Sequence, residues 1–229
     1  MEHILDNPAW NALITGNSHL AHGNEQVKYF DKEVSPFVGL KENTTDNMLL
    51  LHELIDDSPR LLVSPTEIEI PAPWKFLYSI NGYQMVFDNT LNSNNSPSQT
   101  TPLTEKDVPQ MLALTQLTNP GPFASRTLEF GHYEGIFEGD KLVAMAGQRL
   151  HALPFAEVSA VCTHPSHLGR GYAKQLLIQQ INRISAVNQT PYLHVKDTND
   201  RAISVYESLG FVKRIPVFFY VIQRDQVNG

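Results

Sequence analysis

Cys162 is the one cysteine among 229 residues, so no internal disulfide can form and nothing marks an oxidising compartment. No run of 18 apolar residues occurs, and a membrane-spanning helix is therefore not expected. Lys and Arg number 17 against 24 Asp and Glu, a formal net charge of -7, and they form no basic run. That balance argues against a nucleic-acid binder and would suit a small basic partner better. The opening residues MEHILDNPAW contain neither a basic start nor an apolar stretch, so no signal peptide is expected and the cytoplasm is the default location. Neither GxxxxGK with a following Ser or Thr nor GxGxxG is present, which removes the usual nucleotide loops. His164 and His167 have the spacing of a ligand pair, but Pro165 places them in a loop and no third ligand is near. No metal site is expected.

What the chain does have is 41% hydrophobic residues, enough for a packed core, and a regular pattern between residues 157 and 214. Residues 157–163 read as a buried strand. Ala173, Leu176, Leu177, Ile181 and Ile184 recur at intervals suited to an amphipathic helix. Residues 192–196 read as a second strand, a shorter helix follows, and residues 214–221 read as a closing strand. Strand and helix alternate, the mark of an α/β domain. Between the first strand and the long helix lies Gly169-Arg170-Gly171-Tyr172-Ala173. Free backbone N-H groups and the positive end of the helix dipole at such a position favour an anion, with phosphate or pyrophosphate the natural guest. The same glycines would equally serve a plain tight turn.

Upstream, residues 1–82 read as a small N-terminal α/β unit without recognisable chemistry. Asn7-Pro8 opens a short helix. A second helix covers 46–55, and strands are expected at 60–64 and 67–70. His19, His22 and His52 are read as structural. A strand at 83–87 leads into a polar Asn- and Ser-rich loop over 89–99. A helix at 104–117 ends at Asn119-Pro120-Gly121-Pro122, and a short helix over 123–128 follows. Residues 134–138 and 141–150 form a hairpin around Gly139-Asp140, which makes the sheet mixed. The division between the two units is placed between residues 82 and 83.

At this point the residues resemble a family. VCTHPSHLGRGYAKQLL is similar to the acyl-CoA-binding motif of the GNAT superfamily of N-acetyltransferases, with Leu168 at its Gln/Arg position, Gly171 at its glycine and Ala173 at its final small residue. Leu168 departs from the pattern, although any residue there still offers a backbone N-H. Downstream, Asn199-x-x-Ala202-x-x-x-Tyr206-x-x-x-Gly210-Phe211 resembles the second hallmark of the superfamily. The resemblance covers residues 83–229. It implies a GNAT-type α/β fold, a mixed and partly splayed central sheet flanked by helices, in which strands 157–163 and 192–196 run parallel and separate to admit the pantetheine arm. It further implies that Val161, Cys162 and Thr163 pair with acetyl-CoA through their backbones. Leu168, Gly169, Arg170, Gly171, Tyr172, Ala173 and Lys174 would hold its phosphates, and Asn199 would bind its arm or an ordered water. Pro122, Phe123 and Arg126 are placed beside the acceptor.

The implied activity is transfer of an acetyl group from acetyl-CoA to a primary amine of a small molecule or peptide, directly within a ternary complex. Such chemistry needs a neutral amine, a polarised carbonyl and a proton for the leaving thiolate. Glu157 is the candidate base. Flanked by Ala156 and Val158, it could be desolvated and its pKa raised; a water relay is the alternative. Tyr206 is the candidate acid, since a phenol of ordinary pKa is protonated at neutral pH; a core aromatic is the alternative. By strand alternation Cys162 falls on the face opposite Glu157 and reads as a small buried residue rather than a nucleophile. A non-catalytic CoA-binding sensor or scaffold, or a transferase for a longer acyl-CoA, remains open, as does the choice between monomer and homodimer. Neither nucleic acid nor membrane is expected as a partner.

Overall fold

The computed structural model describes residues 3–88 and 100–225; the loop expected over 89–99 lies outside them. Helix α1 (Pro8–Ile14) starts with proline in its first turn, where no backbone donor is lost, and buries Ala9, Trp10, Ala12 and Leu13. Strands β1 (Ala21–Gly23), β2 (Val27–Phe30) and β3 (Val38–Leu40) form a small antiparallel sheet. The side chain of Thr44 accepts from Asn47 N-H and caps α2 (Thr45–Leu54). The chain then enters the main sheet through β4 (Arg60–Ser64) and β5 (Trp74–Phe87).

Short β6 (Thr101–Pro102) precedes α3 (Val108–Thr118), which stops where Asn119 turns left-handed at φ 48°. The hairpin of β7 (Glu134–Glu138) and β8 (Lys141–Gln148) closes on Gly139 with φ 60°, as its turn requires. Strand β9 (Phe155–Thr163), α4 (Tyr172–Ala186) and β10 (Thr190–Lys196) make one crossover unit, followed by α5 (Asp200–Ser208) and β11 (Phe211–Arg224). Helix α4 buries Leu176, Leu177, Ile181 and Ile184, a single stripe at helical spacing.

The main sheet has the order β4-β11-β5-β10-β9-β8-β7-β6. Among the described strands of this sheet β9 and β10 run parallel and the other neighbours antiparallel. Their ladder is short: Thr190 faces Phe155, Pro191 faces Ala156 and Tyr192 faces Glu157, after which the pairing ends. Both strands continue beyond it, so the sheet forks between them.

A bulge sharpens the fork. Gly147 of β8 faces Ser159 while Met145 faces Cys162, so β9 carries an extra residue, and Ala160 takes φ 52°. Strand alternation reverses there. Ala156 and Val158 pack toward α4, and so does Val161, whereas Ala160 and Cys162 join the core on the other side. Cys162 consequently lies on the Glu157 side of the sheet, not opposite it as unbroken alternation predicts, and Val161 leaves that side.

The N-terminal residues are built into the same body. Strand β4 is an edge of the main sheet, and the largest core cluster combines Leu5, Leu13, Phe30 and Phe37 with Met111, Phe130, Met145 and Tyr192. Because β5 starts at Trp74, the division expected between residues 82 and 83 falls within one strand. Residues 67–70 form no strand: Ile68 and Ile70 pack on a second core cluster, and Ile68 N-H donates to the Tyr220 hydroxyl at 3.0 Å. The short helix expected over 123–128 is replaced by a 3-10 turn at Thr127–Phe130.

Phe30 stands edge-on to Phe130 at 5.1 Å and is fully buried. Phe30→Ala should therefore cost about 3–5 kcal/mol in urea unfolding and leave a single transition by far-UV circular dichroism and tryptophan fluorescence. Two separate transitions would contradict a shared core.

Candidate active site

At the fork stands a buried polar cluster. Arg149, just past the end of β8, donates to both carboxylate oxygens of Glu157 at 2.9 and 2.6 Å, and His194 Nδ1 contacts Glu157 Oε1 at 2.8 Å. The three side chains are 9%, 1% and 3% exposed. The imidazole's tautomer follows from its far side. Arg214 donates to Gln84 Oε1, so the Gln84 amide nitrogen is the group facing His194 Nε2 at 3.2 Å. That nitrogen is a donor, which makes Nε2 the acceptor and Nδ1-H the donor to Glu157. The Arg149 guanidinium also lies over the Phe37 ring at 4.4 Å.

Burial alone would push the Glu157 carboxyl upward. The Arg149 charge, aided by His194, outweighs it and holds the pKa at about 2. The elevated value expected for a general base is thus reversed: the neighbouring strands place a cation against the carboxylate, which local sequence around Glu157 does not reveal. A carboxylate held so low is a poor proton acceptor. Arg149, His194 and Gln84 were missed at the sequence level. Their signal was a charged or polar residue inside an otherwise apolar strand or at its end, as in Leu193-His194-Val195.

A cavity of about 1280 Å³ opens at the fork. Val161, Cys162 and Thr163 line it, as do Leu168, Gly169, Gly171, Tyr172, Ala173 and Lys174. Gly169 and Gly171 have φ of 80° and 79°, a conformation glycine adopts without strain. Among the described residues no side chain caps the start of α4, so its first N-H groups remain available to an anion. Arg170 is absent from the cavity wall; its guanidinium donates to Glu138 at 2.8 Å. Thr163 Oγ1 is buried without a hydrogen-bond partner among the described residues.

From the other bank come Asn199 and Tyr206. Asn199 caps α5, its side-chain oxygen accepting from Ala202 N-H at 3.2 Å. Tyr206 packs edge-on to Phe211 at 6.1 Å. Burial pushes its pKa up to about 12. Cys162, which also lines the wall, is pushed up to about 11 by burial; a thiol so protonated is a weak nucleophile.

Phe123 and Arg126 do not line the cavity. The end of α3 and the turn after it present residues 118–122 to it, Pro122 among them, and Phe123 turns into the core, edge-on to Tyr133 at 5.7 Å. Arg126 bonds Glu129 and Asp31 on the surface. Among the described residues no group of three or more His, Cys, Asp or Glu is placed to hold a metal ion, and no helix is long and apolar enough to cross a membrane.

Comparison with known proteins bears on this geometry. A family model described as FR47-like protein matches residues 133–219. An uncharacterised protein of Mycobacterium leprae is 33% identical over 132 residues, and the N-alpha-acetyltransferase RimI of Mycobacterium tuberculosis is 37% identical over 83 residues. These matches take in 53% and 35% of this chain and 36% and 51% of the curated relatives, so the chain spans about half their length or less. Among solved structures, a GNAT-family protein from Novosphingobium aromaticivorans is 33% identical with a TM-score of 0.90, covering 98% of this chain and 100% of that one. A GCN5-related N-acetyltransferase from Kribbella flavida, at 13% identity, 94% coverage of each chain and a TM-score of 0.60, shares the fold.

The ion cluster has a pH signature. Because the folded carboxyl of Glu157 titrates at about 2 against an ordinary 4.5, its stabilisation is present above pH 4.5 and is lost as pH falls toward 2. Glu157→Gln should flatten that acid-side loss and, by leaving the Arg149 charge buried and unpaired, cost about 3–5 kcal/mol at neutral pH. Thermal unfolding of both proteins across pH 2–7 checks the sign.

Proposed function

Because this chain belongs to the GNAT superfamily of N-acetyltransferases, we propose that it transfers an acetyl group from acetyl-CoA to a primary amine of a small molecule or peptide, directly within a ternary complex. The observation that carries this reading is the fork itself. Three residue pairs join β9 to β10, and the cavity beyond them lies between the uncapped start of α4 and the Tyr206 hydroxyl.

The residues present suit acetyl-CoA. The edge of residues 161–163 left unpaired with β10 faces the space for its arm, while Leu168, Gly169, residues 171–173 and the cations Lys174 and Arg201 face that for its phosphates. When bound it supplies an activated acetyl thioester. The amine nitrogen attacks the carbonyl carbon, the C–S bond breaks, and Tyr206, protonated at neutral pH, hands its proton to the departing sulfur and regains one from water as the amine gives up its own. The weakly nucleophilic Cys162 supports direct transfer over an acyl-enzyme.

Glu157 serves in this reading as the anion that holds Arg149 and His194 at the fork, and the acceptor's proton leaves through water. Asn199 holds the start of α5 and thereby the position of Tyr206.

Tyr206→Phe should lower kcat about a hundredfold with acetyl-CoA affinity unchanged, measured by thiol release and by calorimetry. Full activity would make the hydroxyl structural. Gly171→Val, at a left-handed backbone position, should instead weaken acetyl-CoA binding itself; undiminished affinity would relocate the phosphate site.

A further inference from the structure

The cavity passes through the sheet at the fork, and its far end is an apolar patch. On β11, Phe219 pairs with Ile80 of β5, and Val221 pairs with Tyr78 of β5 and Leu61 of β4. Residues two apart on a strand share a face, so these five side chains form one surface across three strands, and all five line the cavity. The His194 ring stands edge-on to Phe219 at 5.4 Å. Arg149 reaches the same cavity with its charge already matched by Glu157. Among the described residues no Asp or Glu lines the cavity. The chain's net charge of -7 is therefore not expressed where a substrate would sit.

We infer that the acceptor is a primary amine joined to an apolar group and carrying no second cationic centre, the apolar group resting on Leu61, Tyr78, Ile80, Phe219 and Val221. This rests on the transferase reading above and narrows it. A second ammonium in this cavity would lose hydration and find no carboxylate in exchange, whereas an aromatic or branched aliphatic group would remove apolar surface from water on both sides. The same surroundings disfavour the charged form of the reacting amine. They thus promote the neutral nucleophile that a carboxylate held at about 2 does not generate.

The test uses the full chain with saturating acetyl-CoA, phenethylamine and isoamylamine as apolar monoamines, and spermidine as the polycation. Thiol release should give phenethylamine a kcat/KM at least about tenfold above that of spermidine. Tyr78 is 53% exposed, so Tyr78→Asp should fold; it should lower kcat/KM for phenethylamine about tenfold, raise that for spermidine, and leave acetyl-CoA affinity unchanged. Calorimetric titration of phenethylamine into the acetyl-CoA-bound Tyr206→Phe variant reads acceptor binding apart from turnover. Preference for spermidine, indifference to Tyr78→Asp, or no phenethylamine binding overturns the acceptor assignment while the transferase reading stands. Failure of the wild-type chain to bind acetyl-CoA removes both.

Discussion

The ion cluster of Arg149, Glu157 and His194 sits where the central sheet stops being a sheet. Glu157 is the last β9 residue paired with β10, and His194 lies two positions beyond its partner Tyr192. Side-chain bonds of 2.6 to 2.9 Å take over where backbone bonds end. The strands are thereby held together at the apex and released beyond it. Burying these groups costs desolvation energy, and a hydrophobic set of the same shape could serve stability as well. A charged, directional cluster instead defines the point at which the strands part.

Beyond the apex, the extra residue at Ala160 turns β9 and exchanges the faces of Val161 and Cys162. The glycines before α4 supply the left-handed backbone that its turn uses. On the opposite bank Asn199 anchors α5, which presents Tyr206 with its phenol protonated. The N-terminal segment supplies the other end of the cavity: β4 pairs with β11 and brings Leu61 to the wall, and Phe37 lies beneath Arg149. Residues without chemistry of their own thus shape the space in which the acceptor would lie.

Much of this was legible locally. The stripe of Leu176, Leu177, Ile181 and Ile184 predicts α4, and the Gly139-Asp140 turn predicts the β7–β8 hairpin, because helix periodicity and turn stereochemistry depend on near neighbours. The motif residues around Gly171 and Asn199 lie on the cavity wall for a similar reason: each is set by the start of its own helix. Phe123 and Arg126 lie off the cavity wall, since the route of the chain after Asn119 is decided by the core that receives Phe123, not by the Pro-Gly-Pro turn alone.

By itself the sequence determined the alternation of strands and helices, the glycine-bearing turn before α4 and the family pattern of its C-terminal part, all of which rest on short-range spacing. Tertiary structure alone decided three things. It decided that β4 and the first half of β5 complete the main sheet, that a bulge moves Cys162 to the Glu157 side, and that Glu157 is an ion-paired carboxylate with a lowered pKa. Each depends on which distant strand comes alongside. A carboxylate's pKa is a property of its neighbours in space, and Arg149 and His194 become neighbours of Glu157 only when three strands are assembled.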